Sequence, residues 1–451
     1  MTQPDAVVIG AGCAGLSAAC ALAAAGVRVA VVEARPVLGG RTFAIRDRVS
    51  GDWVDNGQHV LFGAYHETLA YLARIGSRDR VRIQGMLAAP IVDLQGRGSE
   101  LRCPDLPTPL QLVAGVMAWD ALTWRERLSV AAMRAAVDPR RPPDPAETVR
   151  AWLTRHGQAP RLCELLWEPL ALAALNQSID VATATTFAEV VRRILGPGAD
   201  DAAIAWPADS LSAVFVDPAV AYLRARGGEV AAGRPARVLV AGGRARGVAH
   251  GERILSPAVI VSAVPWHALA GLFDPVPDVL APLTTAASVR QGEAIVTANL
   301  WFDRDVLGTP MVGLPGRTFQ WAFDKGRVTP GRASHLSLVS SGASAIASMT
   351  NDELVRLAHR ELAGALPAAA SARLVRGTII RDRRATFSLA AGEPPRPPAT
   401  TPLPGFLLAG DWIDTGLPAT IESAVVSGHR AAAAALAVLG ADGGTARGEH
   451  P

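Results

Sequence analysis

Six residues near the N-terminus, Gly10-Ala11-Gly12-Cys13-Ala14-Gly15, leave little freedom in how this sequence begins to fold. They form a GxGxxG turn between the apolar run AVVI and the Ala-rich run LSAACALAAAG, and a second apolar run, VRVAVVEA, follows. Continuous apolar residues suit a buried strand and the Ala-rich stretch suits a helix, so the order is strand, Gly-rich turn, helix, strand. That order opens a dinucleotide-binding βαβ unit, in which Gly10 makes the turn, Gly12 admits a pyrophosphate and Gly15 lets the helix pack closely. Glu33 ends the second strand eighteen residues past Gly15, where its carboxylate can accept from a ribose diol and its charge disfavours a 2′-phosphate.

The 451 residues suffice for two or three core-bearing units, and a hydrophobic fraction of 49% against 19% charged excludes disorder for most of the chain. The net charge of +3 rests on scattered arginines, with Lys325 as the only lysine and no polybasic block, which excludes nucleic acid as the expected partner. Cys13, Cys20, Cys103 and Cys163 form no CxxC pair, so neither a zinc site nor a disulfide framework is expected and a reducing compartment fits. MTQPDAVVIG runs straight into a strand, with no charged region followed by a cleavable apolar one, which predicts no secretion signal and a cytoplasmic protein.

From about 85 to 215 the pattern changes to helices joined by Pro-rich segments; from 217 to 265 strands return, ending in AVIVSAVP. Residues 280 to 390 read as a sheet backed by the helix NDELVRLAHRELAGAL, and AGEPPRPPATTPLPG is an extended connector before the strand GFLLAGDW and a helix from Ile421 to about Leu439. These shifts divide the chain into a dinucleotide unit at 1–84, 216–280 and 400–440, a substrate unit at 85–215 and 281–399, and a frayed tail at 441–451. The segment from Leu106 to Trp124 reads as one apolar helix with Trp119 and Trp124 towards its end. Such a helix serves either at a bilayer interface, on the inner face of the cytoplasmic membrane, or in the core.

NAD would satisfy the turn as well as FAD, and the next segment separates them. Glu33-Ala34-Arg35-Pro36-Val37-Leu38-Gly39-Gly40-Arg41 resembles the ExxxxxGGR continuation of the FAD-dependent amine oxidase and phytoene desaturase superfamily. The resemblance implies an α/β fold: a Rossmann-like FAD-binding domain of the GR2, amine-oxidase type, with an inserted α+β substrate domain and a helical cap. It also implies that Gly39, Gly40 and Arg41 lie along the ribityl and phosphate region, flanked by Ala34 and Arg35. Gly410 and Asp411 would end a strand beside the same ligand, and the helix starting at Ile421 would aim its N–H groups at the flavin pyrimidine. Ala236 or Val238, in the strand RPARVLVA, is a candidate for a backbone contact to adenine.

Three further stretches, DNGQHVLFGAYHETLAYLARIG, LLWEPLALAALNQSIDVATATTF and GDWIDTGLPATIESAVVSG, resemble the hydroxysqualene dehydroxylase family of bacterial hopanoid pathways. That family's reaction replaces the hydroxyl of hydroxysqualene by hydrogen from the reduced flavin. Hydroxide leaves poorly, so an acid must protonate it, and His59, Asp55 and Glu168 are the candidates. The resemblance implies that Gly57 and Gln58 pass beside the flavin ring, although DNGQH also reads as a capped turn, and Glu168 as an exposed helical residue. Electrons would come from NAD(P)H or a separate reductase. A phytoene-type polyene desaturase and a non-catalytic flavin-binding scaffold are the alternatives.

Overall fold

A computed structural model describes residues 3–106, 109–198, 200–328 and 334–445, with backbone alone from 441. The strand β1 (Ala6–Ile9), the helix α1 (Cys13–Ala24) and the strand β2 (Val29–Glu33) form the expected opening unit. They belong to a five-stranded sheet in the order Glu229–Ala232, β2, β1, Val259–Ser262, Phe406–Leu408. Every pair is parallel; Val8 aligns with Val31 on one side and Val261 on the other. Both faces of this sheet are covered, which is why its strands read as unbroken apolar runs. On one face Leu16, Cys20, Val425 and Ala431 pack with Val8, Val31 and Val261. On the other, Val7, Ile9 and Val32 share a core with Ala236, Val238 and Val248 of an antiparallel meander.

The C-terminal helix runs Ile421–Thr445, so residues 441–445 continue it where a frayed end is expected, and 446–451 lie outside the described residues. Its stretch Ile421–Gly440 is long and apolar enough to cross a membrane, but half of it is buried within the protein. Packing against α1 accounts for that apolarity.

The second layer is a seven-stranded sheet in the order Leu374–Phe387, Gly292–Phe302, His335–Ser340, Trp321–Asp324, Met311–Gly313, Ala88–Val92, Gly98–Arg102. The last two strands correct the expectation of helices from residue 85: a hairpin, Ala88 paired with Arg102, joins this seven-stranded sheet before the helical block begins. Along Gly292–Phe302, Ala298, Leu300 and Phe302 pack on Leu354, Ala358 and Leu362 of the helix Asn351–Ala365. By strand alternation Thr297, Asn299 and Trp301 face the other way. The strands Leu61–Phe62 and Val81–Ile83 both pair with Ile204–Pro207, so the end of the inserted block closes onto the first segment across the boundary drawn at residue 84.

The expected single helix from Leu106 to Trp124 is two helices, Leu110–Ala118 and Trp124–Ser129, and residues 107 and 108 lie outside the described residues. Thr123 and Glu126 form a capping box that starts the second helix afresh. Trp119 is consequently buried, its Nε1 donating to Ser99 Oγ at 3.2 Å, whereas Trp124 is 65% exposed.

Candidate active site

The turn and β2 build a cradle from backbone and one carboxylate. Glu33 is buried, and its two oxygens accept from the N–H groups of Ala11 at 2.8 Å and Arg35 at 2.9 Å. A carboxylate has about four acceptor positions, so capacity remains for a ligand's hydroxyls. Gly12, the N-cap of α1, supplies no capping side chain, and the first turn holds no acid, which leaves the leading N–H groups available to a phosphate. A Cβ built on Gly12 would meet no protein atom nearer than Gly40 Cα at 3.6 Å. A Cβ on Gly15 would instead lie 1.9 Å from Gly10 O. Gly15 is therefore required by the fold, whereas Gly12 keeps open a space that the protein itself does not fill.

Gly39 crosses beneath this cradle, bridging to Gly12 and donating its N–H to Ala11 O at 2.8 Å. Ala34 and Arg35 are exposed on the way, with Arg35 reaching Gly40 O. Arg41 then ties three parts of the chain together, pairing with Asp411 at 2.7 Å and donating to Ala385 O. Gly410 precedes Asp411 and donates its N–H to Ser427 Oγ in the C-terminal helix at 2.8 Å; Ile421 is the first residue of that helix. The predicted Gly39, Gly40, Arg41, Gly410 and Asp411 are thus one connected wall. Ala236 stands at the start of the meander, paired with His250.

The stretch 55–59 lies against the exposed end of that wall. Asn56 donates through Nδ2 to Arg41 O at 3.0 Å, and Gly57 adopts φ +82° with its Cα so close to the seven-stranded sheet that a Cβ would sit 3.3 Å from Thr297 Oγ1. The loop therefore joins the cradle to the sheet face bearing Thr297 and Asn299. Asn299 Nδ2 is buried and has no partner among the described residues.

The three predicted acids fare differently. Asp55 is buried and accepts from Leu211 N–H at 2.9 Å and from Lys325 Nζ at 3.1 Å, the arrangement of a fixed carboxylate. His59 makes one ring contact, Nδ1 to Gly57 O at 3.2 Å; a carbonyl only accepts, so Nδ1 carries the hydrogen and the neutral ring presents Nε2 as an acceptor. Burial lowers the His59 pKa, with the Gly57 contact and Asp55 opposing it, and this favours the neutral ring. Glu168 is half-buried in the inserted block, and its carboxylate accepts from Ile179 N–H at 3.1 Å, clamping a turn. No described hydrogen bond connects it to the 55–59 loop.

Lys325 was absent from the site expected from sequence. It follows the strand Trp321–Asp324, is 3% exposed, and donates to Asp55 Oδ2 at 3.1 Å and Gln58 Oε1 at 2.8 Å. Its only sequence signal was its solitude in a chain whose other cations are arginine.

Residues 13–436 match the family of flavin containing amine oxidoreductases. Hydroxysqualene dehydroxylase of Rhodopseudomonas palustris is 32% identical, the alignment covering 95% of this chain and 98% of that one. The enzyme of the same name from Zymomonas mobilis is 29% identical over 95% of this chain and 98% of its own. The 15-cis-phytoene desaturase of Synechococcus elongatus is more distant, at 26% identity over 95% of both chains. Cyclohexylamine oxidase from Brevibacterium oxydans shares the fold, with a TM-score of 0.70 at 18% identity over 97% of this chain and all of that one. The chain belongs to the flavin-containing amine oxidoreductases and, among them, to the hydroxysqualene dehydroxylases.

Proposed function

We propose that this oxidoreductase binds FAD and converts hydroxysqualene and two reducing equivalents into squalene and water. The observation that carries the reading is the continuity of the dinucleotide cradle, the Arg41–Asp411 wall and the 55–59 loop with the polar face of a substrate sheet, in a member of this family. FAD is favoured as the flavin because Glu33 suits an adenosine ribose and the α1 N-terminus a pyrophosphate.

Held by Glu33, the α1 N-terminus and the Arg41–Asp411 wall, reduced FAD would supply a hydride equivalent to the carbon that loses oxygen. Gly57 brings backbone, without side chain, to the junction of cradle and sheet. Asp55, Gln58 and Lys325 hold the loop rigid there, and the neutral His59 offers an acceptor. Electrons reach the flavin from NAD(P)H or a separate reductase, since the described residues hold one Gly-rich strand–turn–helix cradle, which the flavin takes.

The substrate is an apolar lipid, and the exposed Leu110, Val113, Trp124 and Leu128 support peripheral contact with the cytoplasmic membrane. Trp119, buried in the core, has no part in that contact. Product analysis tests the function: reduced protein given hydroxysqualene should yield squalene. Additional double bonds in a supplied polyene would instead favour a desaturase, and no turnover of any isoprenoid a scaffold.

A further inference from the structure

The chain uses arginine for 43 of its 44 Lys and Arg residues, and does so even where the cation is buried, as at Arg290. Position 325 is the exception. A guanidinium presents five N–H groups in a rigid fork, whereas an ammonium is a compact charge with three donors that can release a proton. Two of the Lys325 donors go to Asp55 and Gln58, and no described protein group takes the third.

We propose that Lys325 is the acid that protonates the hydroxyl leaving the substrate. The inference rests on the reductive reading above and deepens it. Lys325 is the only cation bonded to a side chain of the 55–59 loop among the described residues. The strand before it pairs with His335–Ser340, which pairs with Gly292–Phe302, so Lys325 stands at the end of the sheet that carries Thr297, against which Gly57 packs. The groups expected to serve as acid are otherwise engaged: Asp55 is an acceptor twice over, His59 presents a lone pair, and Glu168 clamps Ile179.

In the step, the C–O bond breaks with its electron pair going to oxygen, which takes a proton from Nζ and leaves as water. The carbon gains hydride from the reduced flavin, which is oxidised by two electrons. Lys325 becomes a neutral amine and recovers its proton from solvent after product departs. Asp55 and Gln58 hold Nζ in place through the step.

The test compares wild type, Lys325→Gln, and the double variant Lys325→Met with Asp55→Asn, all as flavin-loaded full-length protein. Each is reduced anaerobically, then reoxidised either by hydroxysqualene in detergent or by dioxygen. The dioxygen arm and flavin content report whether fold and flavin are intact. Both variants should keep bound flavin and still be reoxidised by dioxygen, while hydroxysqualene-driven reoxidation falls about 10²-fold or more relative to that dioxygen rate. The double variant removes both charges, so it guards against a single variant that fails through an unpaired Asp55. Recovery of the double variant to within about threefold of wild type would reduce Lys325 to a counter-ion and overturn the proposal, as would unchanged reoxidation in Lys325→Gln. Wild type that hydroxysqualene fails to reoxidise would defeat the reductive reading itself, a result separable from either variant outcome.

Discussion

Replacing Gly12 and Gly15 separately should split cofactor binding from folding, although the two glycines belong to one motif. At Gly12 the backbone is extended, φ −81° and ψ 179°, and an added Cβ meets protein only at 3.6 Å and beyond. Loss of an N-cap glycine costs about 1 kcal/mol, and a stiffer unfolded chain returns about 0.4–1 kcal/mol, so the net change is near zero. At Gly15 the added Cβ lies 1.9 Å from a backbone oxygen of β1's following turn, and α1 must move off the sheet. Overpacking of backbone on backbone should cost about 3 kcal/mol or more. Gly12→Ala should therefore melt within about 4 °C of flavin-stripped wild type yet purify with little or no flavin, the flavin-free reference being needed because a bound ligand itself raises the melting temperature. Gly15→Ala should instead melt far lower or fail to accumulate. Thermal melting together with the flavin-to-protein absorbance ratio measures both effects. A folded Gly12→Ala protein with stoichiometric flavin would show that the pyrophosphate does not occupy the space over Gly12.

Other expectations are narrower. Burial pushes the Asp93 carboxyl up, but Arg161, together with the Arg97 backbone and side chain, outweighs this and holds its pKa at about 2. A folded pKa below the ordinary 3.8 stabilises the protein above pH 3.8 and ceases to as pH falls towards 2; after screening the contribution is about 1–2 kcal/mol. Asp93→Asn should thus be less stable at pH 6, with the gap to wild type in acid-unfolding curves closing near pH 2; a gap independent of pH would reject the ion-pair account. Glu168→Gln should leave substrate-driven reoxidation within about threefold of wild type and cost about 0.5–1.5 kcal/mol through the weakened Ile179 contact; a large rate defect with unchanged melting would restore Glu168 as the acid. Trp124→Ser with Leu128→Ser should move the protein from a vesicle pellet to the supernatant without lowering its melting temperature, and unchanged partitioning would remove these residues from any lipid contact.

What the sequence could show depended on whether the information was local. Gly10 to Gly15 and Glu33 act through backbone geometry within one βαβ unit, so their spacing alone located the cradle. Arg41 and Asp411 are 370 residues apart, yet each sat in a motif recognisable by itself, and the fold joined them. Lys325 had no such motif. Its meeting with Asp55, 270 residues away, depends on the register of three sheet strands and the path of the 55–59 loop, neither of which leaves a local pattern. The break at Trp119 was legible in principle, because Thr123 and Glu126 have the capping-box spacing that marks a new helix start. An apolar run obscured it. The hairpin 88–102 was hidden similarly, since Pro90 and the Gly96 to Gly98 turn resemble the Pro-rich joints of the helical block that follows.

In the proposed reaction a hydride from the reduced flavin takes the place of the departing hydroxyl. Single-turnover reaction in 2H2O tests it most directly: the flavin is reduced in that solvent, so its transferable hydrogen is deuterium, and unlabelled hydroxysqualene is added without oxygen. The account predicts one squalene per flavin reoxidised, carrying one deuterium on the carbon that bore the hydroxyl. A dehydrated polyene with the flavin still reduced, or squalene without deuterium at that carbon, would contradict it.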